Sequence, residues 1–326
     1  MRIANQTFTD GEILINILLT GAYPYSEEQI KKIEALGVRT FFVRNERDAI
    51  DADCSDVDAV VCNGLFLYHG IKAFSRLQYV QLTCAGLDRV PLAFIKENGI
   101  MLHNAGEVYS IPMAEWIVLK ILEIYKHSAG FYRAQEKRAW NKDRSLLELY
   151  GKTACIVGAG SVGQEAAKRL QAFGVFVTAV DISQVNSPYI KKTYRPEEIS
   201  LALEQSDITV LTLPLTEQTY HMLDKTRFSK MKKGSLLVNV SRGAVVNEKD
   251  LAEALSCGQL SGAALDVFEE EPLPKESPLW SMEHVVITPH NSFISEKTSE
   301  RLFDVIYENL RNYLLSKAGN KLCGKP

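Results

Sequence analysis

Short apolar runs alternate with polar, helix-like stretches in the first hundred residues of this 326-residue chain. The runs lie at 13–19, 40–43, 59–62, 79–82 and 100–102. Uninterrupted runs of this length predict strands that are buried on both faces. After the first run, Ser26 and Gln29 have capping-box spacing and predict a helix that stops near Gly37. Strands that alternate with helices predict a parallel sheet with right-handed crossovers.

A second alternating series begins at Thr153 and ends near Pro289. Its apolar runs predict strands at 153–157, 175–180, 208–213, 235–240, 262–265 and 285–287. A helix at 111–127, capped by Ser110, is predicted before the series, and a last helix at 295–315 is predicted after it. We therefore predict an α/β protein of two parallel-sheet domains. One domain comprises residues 1–103 and 291–326, and the other comprises residues 104–290.

A glycine-rich turn stands between the first strand and the first helix of the second series. It contains the spacing Gly-x-Gly-x-x-Gly at Gly158, Gly160 and Gly163. The first glycine permits the tight turn, the second lets the backbone approach a pyrophosphate, and the third lets the helix pack on the strand. Ser161 and Val162 begin the helix, whose unpaired N–H groups favour phosphate. The turn predicts a dinucleotide-binding domain.

An acidic residue, Asp181, ends the next predicted strand. A carboxylate at this position can accept hydrogen bonds from the adenosine ribose hydroxyls. The residues that follow it directly are Ile182, Ser183 and Gln184, with no arginine to balance a 2′-phosphate. We therefore expect NAD(H) rather than NADP(H) as the cofactor.

Composition narrows the range of partners and locations. The content of 46% hydrophobic and 24% charged residues is ordinary for a soluble protein, and the net charge of −3 favours neither nucleic acid nor an anionic membrane as a partner. No apolar stretch approaches the roughly 20 residues that span a bilayer. Six cysteines lie without C-x-x-C spacing, so no disulfide framework and no metal site is expected. These features, and the lack of a secretory pattern, favour a cytoplasmic protein.

Three charged or titratable residues follow predicted strands of the second series. Arg242 follows the strand at 235–240, Glu271 follows the strand at 262–265, and His290 follows the strand at 285–287. The carboxyl ends of parallel strands are where open α/β sheets bind their ligands. We expect these three side chains to lie around the same crevice as the cofactor.

The chain resembles the D-isomer-specific 2-hydroxyacid dehydrogenase family. The matching pieces, in the family's order, are VGAGSVGQEAAKRLQAFG, LPLTEQTYHML, LLVNVSRGAVV, GAALDVFEEEPLP and VVITPHNSF. Two further pieces, CAGLDRV and NAGEVYSIPMAEW, lie upstream. The resemblance implies two Rossmann-like domains, a substrate-binding (flavodoxin-like) domain and an NAD-binding domain, with the active site in the cleft between them. It also implies a homodimer, formed through the NAD-binding domain and the segment 131–149.

By the same resemblance, Arg242, Glu271 and His290 fall on the family's catalytic set. An arginine offers a fixed fork of donors to the substrate carboxylate and to the developing alkoxide. An imidazole titrates near neutral pH, so His290 suits proton transfer to and from that oxygen. Glu271 would then orient the imidazole ring by a hydrogen bond.

Other family positions carry over to this chain as binding residues. Asp266 matches a residue that contacts the nicotinamide carboxamide. Ala85 and Gly86 match a turn whose N–H groups bind the substrate carboxylate. The remaining matches line the cofactor: Leu213, Pro214, Val240 and Ser241.

The substrate-loop segment, 63–68, contains no basic residue that could pair with a phosphate. A small or apolar 2-keto acid is therefore expected, with Leu65, Phe66 and Tyr68 shaping its pocket. A phosphoglycerate-dehydrogenase-like enzyme and an NAD-sensing binding protein remain alternatives. Formate dehydrogenases of the family have glutamine where this chain has Glu271, which argues against that activity. The neighbouring Glu269 and Glu270 are expected to be solvated.

Overall fold

A computed structural model describes residues 15–323, with side chains for residues 15–317. The chain divides into two compact units, which we call unit 1 and unit 2. Unit 1 comprises residues 1–108 and 299–326, and unit 2 comprises residues 109–298. The sequence places the corresponding boundaries at 103/104 and 290/291, and these remain predictions.

Unit 1 contains a five-stranded sheet in the order β2-β1-β3-β4-β5, and every neighbouring pair is parallel. This is the strand order of flavodoxin-like folds. The strands are β1 (Ile15–Thr20), β2 (Val38–Val43), β3 (Ala59–Cys62), β4 (Tyr79–Leu82) and β5 (Met101–His103). The five predicted runs all form strands; the first two residues of the run at 13–19 lie outside the described part of the chain.

Among residues 15–323, three α-helices belong to unit 1: α1 (Glu27–Glu34), α2 (Leu92–Glu97) and the C-terminal helix (Thr298–Cys323), which begins one residue before the unit boundary. The capping box of α1 is confirmed, since Ser26 Oγ accepts the Gln29 N–H at 3.1 Å and Gln29 Oε1 accepts the Ser26 N–H at 3.0 Å. The C-terminal helix joins the core of this unit. Tyr313 stacks on Tyr79 with ring centroids 4.6 Å apart, and Asn309 Nδ2 donates to Gln81 Oε1 at 3.0 Å.

Unit 2 contains a seven-stranded parallel sheet in the order β12-β11-β10-β9-β6-β7-β8. The strands are β6 (Thr153–Val157), β7 (Phe176–Val180), β8 (Lys192–Tyr194), β9 (Ile208–Leu211), β10 (Ser235–Asn239), β11 (Leu260–Leu265) and β12 (Val285–Ile287). After β6, strands β7 and β8 are added on one side of it, and strands β9 to β12 are then added on the other side. The strand order therefore reverses between β6 and β9, which is the switch point of a Rossmann sheet.

Helices cover both faces of this sheet: α3 (Ser110–Tyr125), α5 (Ser161–Ala172), α6 (Ile199–Glu204), α7 (Lys225–Lys230) and α8 (Glu248–Ser256). A further helix, α4 (Ser128–Glu136), follows α3 and has no buried residue. Along β6, Ile156 joins a core cluster that contains α3 and α5, whereas Val157 joins a cluster that contains α6, α7 and α8. Burial on both faces is what the apolar runs predict.

Several helix ends differ from the prediction: α3 begins at Ser110 and ends at Tyr125 instead of extending over 111–127, and the C-terminal helix is Thr298–Cys323 instead of 295–315. Ser110 is the first residue of α3, and Tyr109 occupies the N-cap position without a side-chain capping bond. The serine–proline pattern suggested a cap because Pro112 suits the first turn, but the helix begins one residue earlier. Among residues 15–323, no helix is both long enough and apolar enough to cross a membrane.

Candidate active site

The glycine turn after β6 lies at the switch point of the unit 2 sheet. Gly158 has a φ of +91°, and a Cβ there would lie 2.7 Å from Leu213 Cβ. A Cβ at Gly163 would lie 2.5 Å from the Gly158 carbonyl oxygen. At Gly160, by contrast, no described atom lies within 4 Å of a Cβ position. Packing therefore requires the outer two glycines, and the central one borders open space.

The start of α5 is suited to an anion. Gly160 is its N-cap and makes no side-chain capping bond. The first N–H groups of a helix, here those of Ser161 and Val162, have no acceptor within the helix. Thr212 Oγ1 donates to the Gly158 carbonyl at 2.6 Å and fastens the turn to the end of β9, directly before Leu213 and Pro214. These features fit the phosphates of a dinucleotide.

Asp181 lies against the glycine turn, and its expected hydrogen bonds with ribose hydroxyls stay a prediction. Its Oδ2 accepts the Ala159 N–H and its Oδ1 accepts the Ser183 N–H, each at 2.9 Å. The structure also brings Arg195 to this corner, where its guanidinium donates to the Ile182 carbonyl. Arg195 was not predicted to lie here, because it follows β8 and is separated from Asp181 along the chain.

Glu271 and His290 form a hydrogen-bonded pair at the ends of β11 and β12. His290 Nδ1 lies 2.8 Å from Glu271 Oε2, and Glu271 Oε1 accepts the Phe268 N–H at 3.1 Å. The backbone of His290 has a φ of +50°, and its N–H donates to the Asp266 carbonyl at 2.8 Å. Both side chains remain about one-third exposed, so the pair is accessible from solvent.

The pKa of Glu271 determines how this pair is protonated. Partial burial alone raises it, but hydrogen bonds from His290 and the Phe268 N–H, with positive charge on His290 and Arg242, outweigh burial and lower the pKa. The carboxylate is thus the acceptor in the pair, and His290 Nδ1 carries a proton. The other ring nitrogen, Nε2, is then the one that can exchange a proton with a ligand.

Arg242 comes directly after the buried residues Val240 and Ser241 that follow β10. Its Nη1 donates to the Ser241 carbonyl at 2.8 Å, and its charge contributes to the lowered pKa of Glu271. Since β10, β11 and β12 are neighbours in the sheet, the structure brings together the three residues predicted as catalytic.

Asp266 is fully buried and holds the segment 288–292 that carries His290. Its Oδ1 accepts from Thr288 Oγ1 at 2.5 Å and from the Asn291 N–H at 3.0 Å, while its Oδ2 accepts the Ser292 N–H at 2.9 Å. These donors all belong to the protein. The expected contact of Asp266 with a nicotinamide carboxamide stays a prediction.

The turn predicted to bind a substrate carboxylate follows β4 in unit 1. Asn104 Nδ2 donates to the Ala85 carbonyl at 2.7 Å, and Cys84 Sγ donates to the Gly86 carbonyl at 3.3 Å. Within residues 15–317, no acceptor takes the backbone N–H of Ala85 or Gly86. Both N–H groups are thus available to an anion.

The segment 63–68 differs from its predicted picture in two ways. Leu65 is completely buried in the unit 1 core, so its side chain is not free to shape a pocket as expected. Phe66 packs edge-on against Phe74 but is only partly buried, and its expected role stays a prediction. Basic side chains reach this segment from other loops. The Arg47 guanidinium lies 5.1 Å from the centre of the Tyr68 ring, and Arg89 Cδ lies 3.9 Å from a Cβ position on Gly64.

A carboxylate accompanies these arginines. Glu46 accepts the N–H groups of Asn63 and Gly64 at 2.6 and 2.7 Å and the Thr20 hydroxyl at 2.8 Å. The start of the segment is therefore fastened to the end of β1. Glu46, Arg47 and Arg89 lie outside the segment in sequence, so they were not predicted to reach it.

Comparison with known proteins places this architecture in a family. Residues 118–292 match the model of the D-isomer specific 2-hydroxyacid dehydrogenase, NAD binding domain. The chain is 29% identical to D-3-phosphoglycerate dehydrogenase of Methanocaldococcus jannaschii over 323 residues, which cover 96% of this chain and 60% of that protein. It is 33% identical to glyoxylate reductase of Korarchaeum cryptofilum over 246 residues, 73% of this chain and 74% of that protein.

Solved structures agree with this placement. The D-isomer specific 2-hydroxyacid dehydrogenase of Xanthobacter autotrophicus, solved with NADPH and MES, matches with a TM-score of 0.77 and 25% identity, covering 93% of this chain and 96% of that one. A family member from Aeromonas salmonicida matches with a TM-score of 0.76 and 27% identity, covering 97% of both chains. This chain belongs to the D-isomer-specific 2-hydroxyacid dehydrogenases, a family of NAD-dependent oxidoreductases that act on CH–OH donors.

Proposed function

We propose that this protein interconverts a small 2-keto acid and its D-2-hydroxy acid with NAD(H). The observation that carries the proposal is the Glu271–His290 hydrogen bond of 2.8 Å, electrostatically coupled to Arg242, on the same sheet as the glycine turn. Reduction of a keto acid consumes one hydride and one proton. Hydride comes from bound NADH, and the protein must supply the proton and stabilise the charge that develops on the oxygen.

His290 Nε2 donates the proton to the carbonyl oxygen in reduction and removes it in oxidation. Glu271 holds Nδ1 and stabilises the imidazolium that forms when the hydroxy acid is oxidised. Arg242 supplies N–H donors for the carbonyl oxygen and the carboxylate of the substrate. The N–H groups of Ala85 and Gly86 have no protein acceptor within residues 15–317, which supports a role in binding that carboxylate.

The position of Asp181 supports NAD(H) as the preferred cofactor. Its carboxylate accepts the N–H of Ala159 in the glycine turn and the N–H of Ser183, and it would repel a 2′-phosphate. Arg195 beside Ile182 is a cation that could offset this repulsion. The ratio of NADH-dependent to NADPH-dependent rates therefore measures which of the two charges dominates.

A second substrate class is favoured by one observation. Arg47 and Arg89 lie beside the segment 63–68, so an acid with a second negative charge, such as 3-phosphohydroxypyruvate, has basic groups nearby. The D-3-phosphoglycerate dehydrogenase of M. jannaschii is a relative at 29% identity. Glu46 argues against this class, because its carboxylate already accepts the Asn63 and Gly64 N–H groups and its negative charge would repel a phosphate.

Two features beyond the active site complete the proposal. Exposed aromatic side chains on the segment 131–149 support a homodimer, with Tyr132 62% and Trp140 94% exposed.

Five of the six cysteines are described and all five are free thiols, in agreement with a cytoplasmic location.

The test is an NADH-oxidation screen with glyoxylate, pyruvate, hydroxypyruvate, phenylpyruvate, branched-chain 2-keto acids and 3-phosphohydroxypyruvate, run in parallel with NADPH. We expect turnover of at least one keto acid. His290→Ala should lower kcat by roughly 10²–10⁴-fold without changing the NADH dissociation constant, because only proton transfer is lost. His284→Ala removes an imidazole elsewhere in unit 2 and serves as the matched control.

Two results would count against the proposal. A wild-type protein that binds NADH but reduces none of these acids is an NAD-sensing protein rather than an enzyme. A His290→Ala variant with wild-type kcat would remove the residue from the mechanism.

A further inference from the structure

Glu269 is exposed, as expected of a solvated member of an acidic run, but its carboxylate also has specific hydrogen-bond partners. Its Oε2 lies 2.9 Å from His221 Nε2, and its Oε1 accepts the Glu248 N–H at 2.8 Å. Glu248 opens α8, so this N–H belongs to the first turn of a helix, where a carboxylate is favourable. One side chain thus bonds to two segments distant in sequence.

The side chain of Glu248 in turn forms a hydrogen bond with the backbone of Glu269. Its Oε1 accepts the Glu269 N–H at 2.5 Å. The two residues therefore exchange side chain-to-backbone hydrogen bonds and fix the backbone two residues before Glu271. Burial and the charges of Glu269 and Glu271 raise the pKa of Glu248, although the Glu269 N–H opposes the shift. Three carboxyl groups consequently lie close together, faced by His221, His290 and Arg242.

His221 links this contact to the turn that carries Arg242. The residue has a φ of +45°, and its ring stacks on Tyr220 with centroids 4.1 Å apart. Its N–H donates to the Ala244 carbonyl at 2.8 Å, two residues after Arg242. The two segments also touch directly, because a Cβ on Gly243 would lie 1.8 Å from the Phe268 carbonyl carbon.

We propose that Glu269 is a positioning residue, which together with His221 and Glu248 fixes the segment 268–271 so that the Glu271 carboxylate faces His290. These three residues form a brace. Phe268 supplies the link, because its N–H donates to Glu271 Oε1 and its carbonyl packs against Gly243. A displacement of the backbone at Glu269 would thus move both the carboxylate that orients His290 and the turn that carries Arg242. The proposal rests on the proposed function for its kinetic consequence only.

The kinetic test compares Glu269→Ala with Glu270→Ala. Glu270 is the adjacent exposed acid, and within residues 15–317 it has no hydrogen bond or ion pair. The control therefore removes the same charge without loosening the brace. Glu269→Ala should lower kcat roughly tenfold to a hundredfold and shift the pH profile of kcat, with an unchanged NADH dissociation constant. Glu269→Gln retains an acceptor for the Glu248 N–H and should restore most of the rate.

A second readout does not depend on turnover. In ¹⁵N-labelled protein, the Nδ1 proton of His290 should give a downfield NMR signal, identified by its loss in His290→Ala. We expect this signal to disappear in Glu269→Ala and to persist in Glu270→Ala. Glu248→Ala acts through the other half of the exchange and provides a second variant if Glu269→Ala fails to fold.

The outcomes separate the two proposals. An unchanged Nδ1 signal and an unchanged kcat in Glu269→Ala would overturn the brace. If the wild-type protein turns over no keto acid, the proposed function fails, while loss of the Nδ1 signal in Glu269→Ala and its persistence in Glu270→Ala would still support the brace.

Discussion

Three glycines in the turn after β6 have different surroundings. Gly158 and Gly163 lack room for a Cβ because Leu213 and the Gly158 carbonyl lie too close, whereas Gly160 borders open space. A methyl group at Gly163 must displace backbone, and overpacking of this kind costs about 1–3 kcal/mol. A methyl group at Gly160 meets no protein atom, but it occupies the volume in which a pyrophosphate would approach the backbone.

We therefore predict that one substitution lowers the stability of the protein and that the other weakens NADH binding. Gly163→Ala should lower the free energy of unfolding by about 1–3 kcal/mol. Gly160→Ala should change it by less than about 0.5 kcal/mol, yet weaken NADH binding at least tenfold, which is a loss of about 1.4 kcal/mol. Urea unfolding and NADH fluorescence titration measure the two quantities. Tight NADH binding by Gly160→Ala would show that the dinucleotide does not approach this backbone.

The positions of site residues were predictable from the sequence where they depend on residues nearby in the chain. The glycine turn, Asp181 and the residues after β10, β11 and β12 depend on local spacing and on the rule for strand ends. Arg195 and Arg47 reach their positions from other loops, and Glu269 finds its partners 48 and 21 residues away. The periodicity of apolar and polar residues does not indicate such pairings, because they depend on which loops the sheet brings together.

Elements were predictable where an apolar run is long and buried on both faces. Strands β3, β4 and β6, which are buried along nearly their whole length, have the predicted ends, and so does the shorter, partly exposed β12. Strand β8 (Lys192–Tyr194) was missed because it has three residues at the sheet edge, and two of them are polar. Its lysine ammonium lies over the Tyr194 ring at 4.0 Å, a contact between side chains that apolar periodicity does not reveal.

The C-terminal helix contributes to the stability of unit 1 through a few buried side chains. Tyr313 is 2% exposed and stacks on Tyr79, whereas Leu315 on the same helix is 58% exposed. Tyr313→Ala should lower the free energy of unfolding of unit 1 by about 3–5 kcal/mol, as for other buried aromatic residues. Leu315→Ala is the matched control and should change it by less than about 0.5 kcal/mol.

Hydrogen exchange measures this effect strand by strand. Amides of β1–β5 should exchange faster in Tyr313→Ala, while those of the unit 2 sheet keep their protection. Equal loss of protection in both sheets would mean that the two units unfold as one.

At the level of the whole molecule, the proposed homodimer depends on a surface that unit 2 leaves uncovered. Trp140 is 94% exposed, and other apolar side chains of the segment 131–149 are also exposed: Phe131, Tyr132, Leu146 and Leu147. Tryptophan side chains at the centre of an interface often contribute 2 kcal/mol or more, which corresponds to about a thirtyfold change in dissociation constant. Trp280, 54% exposed, provides a comparison outside this segment.

We predict that the wild-type protein sediments as a dimer at micromolar concentration. Trp140→Ser should shift it toward the 36.5 kDa monomer, and Trp280→Ser should leave it dimeric. Sedimentation-velocity centrifugation over a range of concentrations distinguishes the species. A wild-type protein that stays monomeric at all concentrations would remove the homodimer from the proposal.

The return of the C-terminal helix to unit 1 also affects the order in which the protein can fold during synthesis. Strands β1–β5 leave the ribosome first, but Tyr79 and Gln81 find their partners Tyr313 and Asn309 only after the 190 residues of unit 2 have been made. At ordinary elongation rates this interval is roughly 10–40 s. Unit 2 is continuous in sequence, so all of its strands have been made before the C-terminal helix is synthesised. The unit that is translated first is therefore the last to finish folding, and one face of its sheet must be protected from aggregation until then.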